Sequence, residues 1–292
     1  MARNISRMTL LLLACILINA IITGNAFPDV KQQAPDVLMP GATVSMPGIP
    51  SYSYINPVFA DINEAFSLQY RYAHINSGDI GTHYAATTLY GFTIAYSTVE
   101  ALFAEKEVIQ TQGESWYFAK GIMLTDWLGV GVSYNRYTVN NDPVTSWGYS
   151  LLLMPSRFIS FGMVIDHANK PSLDEVTLKQ REWYSIGIRP FGNTLSFAWD
   201  IKRYEGEPWK DVLHVFTLSG MVWRDIICSL QYDMDRNISF ALAIPFDISS
   251  RTGGSSLYDV GYMHFDKQKA TAYTFGITLT EERFRNALSS KM

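Results

Sequence analysis

An all-β fold, an antiparallel up-and-down transmembrane β-barrel of about fourteen strands, is what this chain predicts. Three observations carry that expectation. Segment after segment alternates large apolar and small residues over roughly nine to eleven positions, the length that crosses a bilayer as a tilted strand. The connections alternate between tight turns and longer polar loops. The second face of each strand is Gly, Ala, Ser and Thr rather than Lys and Glu, as at Gly129, Gly131, Gly162, Gly187, Ala198, Ala241, Ala243 and Gly276. A soluble sandwich also alternates, but its outer face is charged. Here the charges gather in the connections, and Trp116, Trp127, Trp147, Trp183, Tyr204, Trp209 and Trp223 fall toward strand ends, where interfacial girdles form.

The pattern is clearest at residues 180–204. Leu195, Phe197, Trp199 and Ile201 alternate with Thr194, Ser196, Ala198, Asp200 and Lys202, and residues 183–190 alternate before Pro190-Phe191-Gly192-Asn193. Alternation on both sides of a Pro/Gly/Asn cluster is a β-hairpin.

Taken in order, the chain opens on a targeting segment. Arg3 and Arg7 precede an apolar run over residues 8–22, and Gly24-Asn25-Ala26 supplies small residues for cleavage, so residues 1–26 read as a signal peptide cut after Ala26. An uncleaved anchor and a lipoprotein box at Leu12-Leu13-Ala14-Cys15 are the rival readings. Cleavage removes Cys15 and leaves Cys228 alone, so the mature barrel has no intramolecular disulfide. Residues 27–64 form a Pro-rich segment in which Pro28, Pro35, Pro40, Pro47, Pro50 and Pro57 interrupt helix and central strand alike. It reads either as a flexible leader or as a plug folded into the barrel, because Met39, Met46, Tyr52, Tyr54, Ile55, Val58 and Phe59 are too apolar for a solvated linker.

Strands fill residues 65–279. Phe66, Leu68, Tyr70 and Tyr72 start the first, which Ser77-Gly78-Asp79 ends. Residues 82–89 and 92–99 flank Tyr90-Gly91, and a charged loop over 100–114 follows. Residues 116–124 and 128–139 flank Thr125-Asp126-Trp127, and Asn140-Asn141-Asp142-Pro143 is the next loop. Residues 146–154 and 158–167 flank Pro155-Ser156-Arg157, and a polar loop over 169–179 leads to the 180–204 hairpin. Residues 212–222 and 226–233 flank Trp223-Arg224-Asp225. The strand with Ile238, Phe240, Leu242 and Ile244 follows, then the pair 257–265 and 271–279. The connection 245–256 is longer than its place in the alternation calls for. Residues 280–292 form a C-terminal tail. Both termini and the short turns are expected on the periplasmic side.

Chemistry-bearing patterns are few. Asp233, Asp235 and Asn237 open like a calcium loop, but Ile238 stands where the loop needs Gly and Ile244 where it needs Glu, so a hairpin turn is expected. His74, His83, His167, His214 and His264 are scattered singly without ligand spacing. No G-x-S-x-G elbow occurs, and Gly253-Gly254-Ser255-Ser256 leads into a strand, where it cannot cradle phosphate as a helix N-terminus does. Arg71, Asp166, Asp200 and Lys202 fall on small-residue faces and are expected in the lumen, pairing there. The reading is of a non-enzyme, with no catalytic residue, metal ligand or cofactor assigned and the ligand-binding residues left open. With 23 basic against 27 acidic residues, nucleic acid is not an expected partner.

At Asn56-Pro57-Val58 the chain resembles the outer-membrane families with an Asn-Pro-Ala segment before strand one, the long-chain fatty-acid transporter superfamily among them, with Val58 in place of the usual Ala. From Leu128 to Leu279 the phrases GVGVSYNRYTVNNDPVTSWGYSLLLMPSRFISFGMVIDHANKP and WYSIGIRPFGNTLSFAWDI are similar to the barrel-like region that precedes the protease in some signal-peptide-peptidase A type proteins. The first resemblance implies an outer-membrane channel or transporter for small hydrophobic or amphipathic molecules. The second implies a membrane anchor or assembly module for a periplasmic protease or secretion partner. A secreted soluble β-protein that binds a ligand is the third reading. The lipid bilayer, a hydrophobic small molecule and a periplasmic protein are the corresponding partners.

Overall fold

The computed structural model describes residues 39–46, 53–62, 66–76, 80–98, 101–103, 108–110, 113–139, 142–173, 176–177, 179–223, 226–247, 254–267 and 269–281. The signal-peptide and lipoprotein readings, the Ser77-Gly78-Asp79 turn and residues 282–292 lie outside them.

Fourteen strands form one closed antiparallel barrel. They are β1 (Ser67–Ile75), β2 (Ile80–Leu89), β3 (Phe92–Thr98), β4 (Gly113–Thr125), β5 (Leu128–Val139), β6 (Asp142–Ser156), β7 (Ile159–Asp166), β8 (Arg181–Ile188), β9 (Leu195–Tyr204), β10 (Leu213–Trp223), β11 (Ile226–Asp233), β12 (Ile238–Asp247), β13 (Gly254–Phe265) and β14 (Ala270–Glu281). Each pairs with its sequence neighbours, and β1 closes on β14 from Ser67↔Thr280 to Ile75↔Ala272. Closure pairs every edge, which backbone in hydrocarbon requires.

Alternation sets what each face meets. Leu68, Tyr70, Ile94, Phe118, Phe161, Trp199 and Phe240 are exposed on the outer wall, while Gln69, Arg71, Thr93, Ala119, Ser160, Asp200 and Ser239 between them are buried. An exterior of large apolar and aromatic side chains over a polar, small-residue interior is the inverse of a soluble protein. It overturns the soluble reading, which needs a charged outer wall. The wall spans a membrane, and an even-stranded single-chain barrel of this type is an outer-membrane protein.

Several boundaries differ from expectation. The 140–143 loop shrinks to two residues because β6 starts at Asp142. Pro143 is tolerated there because it pairs only with Thr138 of β5, while β7 does not meet β6 until Tyr149. Pro245 likewise lies inside β12, paired with Leu257 of β13 beyond the last contact of β12 with β11 at Ala243. Half of the apparent long connection is therefore strand, and the count of fourteen stands. The 100–114 loop contains a small hairpin, Ala101–Phe103 against Val108–Gln110. The last strand runs to Glu281, two residues past the expected end.

Candidate functional site

The lumen holds two stretches of the N-terminal segment. Residues 39–46 and 53–62, the latter ending in one helical turn, α1 (Phe59–Ile62), are almost wholly buried. Their contacts fall on inward positions of opposite walls. Thr43 Oγ1 donates to Asp200 Oδ1 of β9 at 2.9 Å and lies 2.9 Å from Ser185 Oγ of β8. Ser185 Oγ donates to Ser45 Oγ at 2.6 Å, and Gln231 of β11 donates to the Ala42 carbonyl. Across the barrel, Thr93 of β3 donates to Ser53 Oγ, and Tyr117 of β4 to the Ser53 carbonyl. The Met123 amide donates to Asp61 Oδ2 at 2.6 Å.

Wall glycines make these approaches possible. A Cβ on Gly162 of β7 would collide with the Val44 carbonyl, and one on Gly121 of β4 with the Pro57 carbonyl and Val58 Cα. The small-residue faces at Gly129, Gly131, Gly162 and Gly187 are thus the bed of the N-terminal segment. Asn56 braces its two stretches: Nδ2 donates to the Val44 carbonyl at 2.7 Å, and Oδ1 accepts from the Val58 amide at 3.1 Å. That is a physical role for the Asn-Pro-Val segment, since a buried carbonyl or amide left without a partner is costly.

Toward the loop-bearing end the inward side chains grow larger. Tyr54 packs its ring 5.4 Å from Tyr84 and 4.5 Å from Tyr117. On the facing wall Lys202 holds its ammonium 4.1 Å from the Trp183 ring centre.

The four luminal charges named from the sequence are all inward, and two of them form ion pairs with other strands. Arg71 Nη2 meets Asp259 Oδ1 at 3.0 Å, with the two side chains 2% and 4% exposed. Asp166 Oδ2 accepts from Arg181 Nε at 3.1 Å and from its Nη2. Asp200 binds Thr43, and Lys202 sits on Trp183. The partners Asp259 and Arg181 were missed, although both share small-residue faces, with Gly261 and with Ser185 and Gly187.

Asp233 uses both carboxylate oxygens on Asn237, from its amide and Nδ2, each at 2.9 Å. Asp235 accepts from Lys267, and Asn237 Oδ1 from the Asp266 amide. The D-x-D-x-N run is therefore a turn stitched to the next loop. His74, His83, His214 and His264 lie on strands at outward positions, and His167 lies in the connection after β7. Gly254, Ser255 and Ser256 open β13.

No family model matches the chain, and no curated protein matches it. Solved structures do. The CymD monoaromatic hydrocarbon channel superposes with a TM-score of 0.55 at 11% identity, over 88% of this chain and 98% of that one. The toluene transporter TodX of Pseudomonas putida gives 0.53 at 8%, over 88% and 100%. A Pseudomonas aeruginosa FadL homologue gives 0.52 at 10%, over 88% and 100%. The barrel fold is shared.

Proposed function

We propose that this barrel is a channel for small hydrophobic or amphipathic molecules in which the N-terminal segment is the plug. The observation that supports it is the docking of residues 39–46 and 53–62 across the lumen onto side-chain-free wall positions. Such a bed holds a chain by hydrogen bonds and close packing and can also release it. The fold shared with the CymD hydrocarbon channel and the toluene transporter TodX supports the same reading by analogy.

A disulfide between plug and wall tests it without deleting anything. In a Cys228→Ala background, Thr43→Cys with Ser185→Cys places two thiols where hydroxyls stand 2.9 Å apart, within bridging range. The oxidised barrel should lose uptake of a small aromatic hydrocarbon, and a reductant should restore it. Equal uptake in both states would overturn the gating role.

A second reading, an anchor or assembly module for a periplasmic protease or secretion partner, draws on the ion pairs that fill part of the lumen and on the likeness of residues 128–279 to the signal-peptide-peptidase A type barrel region. It expects no uptake in either redox state and co-purification with a periplasmic protein.

A further inference from the structure

We propose that the lumen wall beneath residues 39–46 is a binding site for the hydroxyl group of a small uncharged alcohol or phenol, which takes the place that Thr43 holds in the plugged barrel. The inference rests on the reading of residues 39–46 as a displaceable plug, and it names the head group of the ligand. Thr43 Oγ1 donates to Asp200 Oδ1 at 2.9 Å and stands 2.9 Å from Ser185 Oγ, so Asp200 receives a hydroxyl from the segment itself. Asp200 is 0% exposed. Its other oxygen, Oδ2, makes no hydrogen bond, and neither does the indole Nε1 of Trp183, a side chain only 2% exposed on the neighbouring strand.

Register brings these groups together. Ser185 of β8 pairs with Asp200 of β9, and Trp183 pairs with Lys202, so the four inward side chains occupy two adjacent rows. The indole N–H acts on the Asp200 carboxyl from short range without completing a bond to it, so a single inserted group reaches both. An acceptor and a donor left open side by side in a buried interior call for a partner that can satisfy the two at once. A hydroxyl does so, because it donates to the carboxyl and accepts from the indole N–H. A hydrocarbon satisfies neither. An organic acid sets a second carboxylate against Asp200, and an amine meets the Lys202 ammonium, which stands 4.1 Å from the Trp183 ring centre.

The rest of the segment outlines the body of the ligand. Met46 Cγ lies over Gly187, and the backbone at Val44 and Ser45 lies over Gly162, both wall positions without side chains. Withdrawal of the segment leaves a trough floored by those glycines and by Ala198, which pairs with Gly187, and a ring or short alkyl chain packs there beneath Trp183. Residues 43–46 therefore stand in for the ligand, with a hydroxyl on Asp200 and an apolar side chain on the glycine bed.

Limited proteolysis of the N-terminal segment in the full-length barrel, reconstituted in lipid vesicles, tests this with benzyl alcohol, toluene and benzoate, probes that share a ring and differ in one substituent. Benzyl alcohol should accelerate cleavage within residues 39–46 at aqueous concentrations about tenfold below those that toluene requires, the equivalent of one net hydrogen bond. Benzoate should have no effect. Trp183→Phe keeps a ring but lacks the N–H, and it should remove the preference for benzyl alcohol over toluene. Partitioning into lipid is common to wild type and variant, so their difference reports the site, and a heat-modifiable band on a gel confirms that the variant is folded. Equal action of benzyl alcohol and toluene on the wild type, or an unchanged preference in folded Trp183→Phe, would overturn the hydroxyl site while the plug stands or falls on the disulfide experiment. Cleavage that none of the probes accelerates would overturn the site together with ligand displacement of the plug.

Discussion

Gly162 and Gly276 are both inward glycines, yet they make room for different things. Above Gly162 lies the backbone of the N-terminal segment, at Val44 and Ser45. Above Gly276, which pairs with Arg71 on one side and Asp259 on the other, lies the Asp259 carboxylate reaching toward Arg71. At Gly162 the space is filled by a separate piece of chain and at Gly276 by the wall's own side chains. The first can in principle empty; the second is a permanent clasp across the seam where the last strand meets the first. Mutations at the two places should therefore fail differently.

The largest effect is expected at the seam. Arg71→Ala leaves the Asp259 carboxylate buried beside Gly276 without its cation, and breaking such a pair from one side costs about 3–5 kcal/mol. The double change Arg71→Met, Asp259→Leu should recover most of that loss. Urea unfolding from lipid vesicles, followed by tryptophan emission, measures both. If Arg71→Ala matches wild type, the pair is not a clasp.

Gly162→Val comes next. Overpacking typically costs about 1–3 kcal/mol, but here the strain is relieved by expelling residues 39–46 rather than by opening the barrel. Proteolysis of the N-terminal segment should accelerate while the heat-modifiable band persists. Loss of the band with no gain in cleavage would mean that the segment and the wall are one cooperative unit. Asn56→Ala, which introduces no clash and orphans only the Val44 carbonyl and the Val58 amide, should loosen the segment without touching the wall at all. Its cleavage rate should lie between wild type and Gly162→Val.

The contrast also marks how far the sequence could be read. Wall strands are legible because one face meets lipid everywhere, so alternation is enforced at residues such as Phe161, Ile186 and Trp199 whatever lies inside. The boundaries that slipped are those where proline breaks a local rule at a strand end paired on one side only, as at Pro143 and Pro245, and only the register of the neighbouring strands shows that the second side is unpaired there. The lumen is half legible. Its small-residue faces announce that something fits against them, and the apolar residues between prolines in 27–64 supply a candidate. Pairings such as Thr43 with Asp200 or Arg71 with Asp259 depend on three-dimensional register between strands far apart in sequence, and no local pattern encodes that.

The smallest expected effect concerns the loop end, and it separates the clasped wall from its covering loops. His167 sits just past β7, buried, with Nδ1 2.8 Å from Ser146 Oγ. Burial lowers its pKa from 6.5 to about 4, with the Arg181 guanidinium adding to the shift and Asp166 opposing it. A loop-open state therefore binds a proton between pH 6.5 and 4 that the closed state does not. The closed state keeps its full advantage above pH 6.5 and loses it as pH falls toward 4, at about 1.4 kcal/mol per pH unit inside that window at most. Hydrogen exchange at the Ala168 and Lys170 amides, which bond to the Trp147 and His167 carbonyls, should quicken below pH 6 relative to strand amides of β7. His167→Gln should abolish that extra quickening. If wild type and variant share one pH profile, the imidazole does not hold the loop, and loop closure must rest on the Asn169 side chain, which accepts from the Trp147 amide and donates to the Thr145 carbonyl at 2.9 Å each.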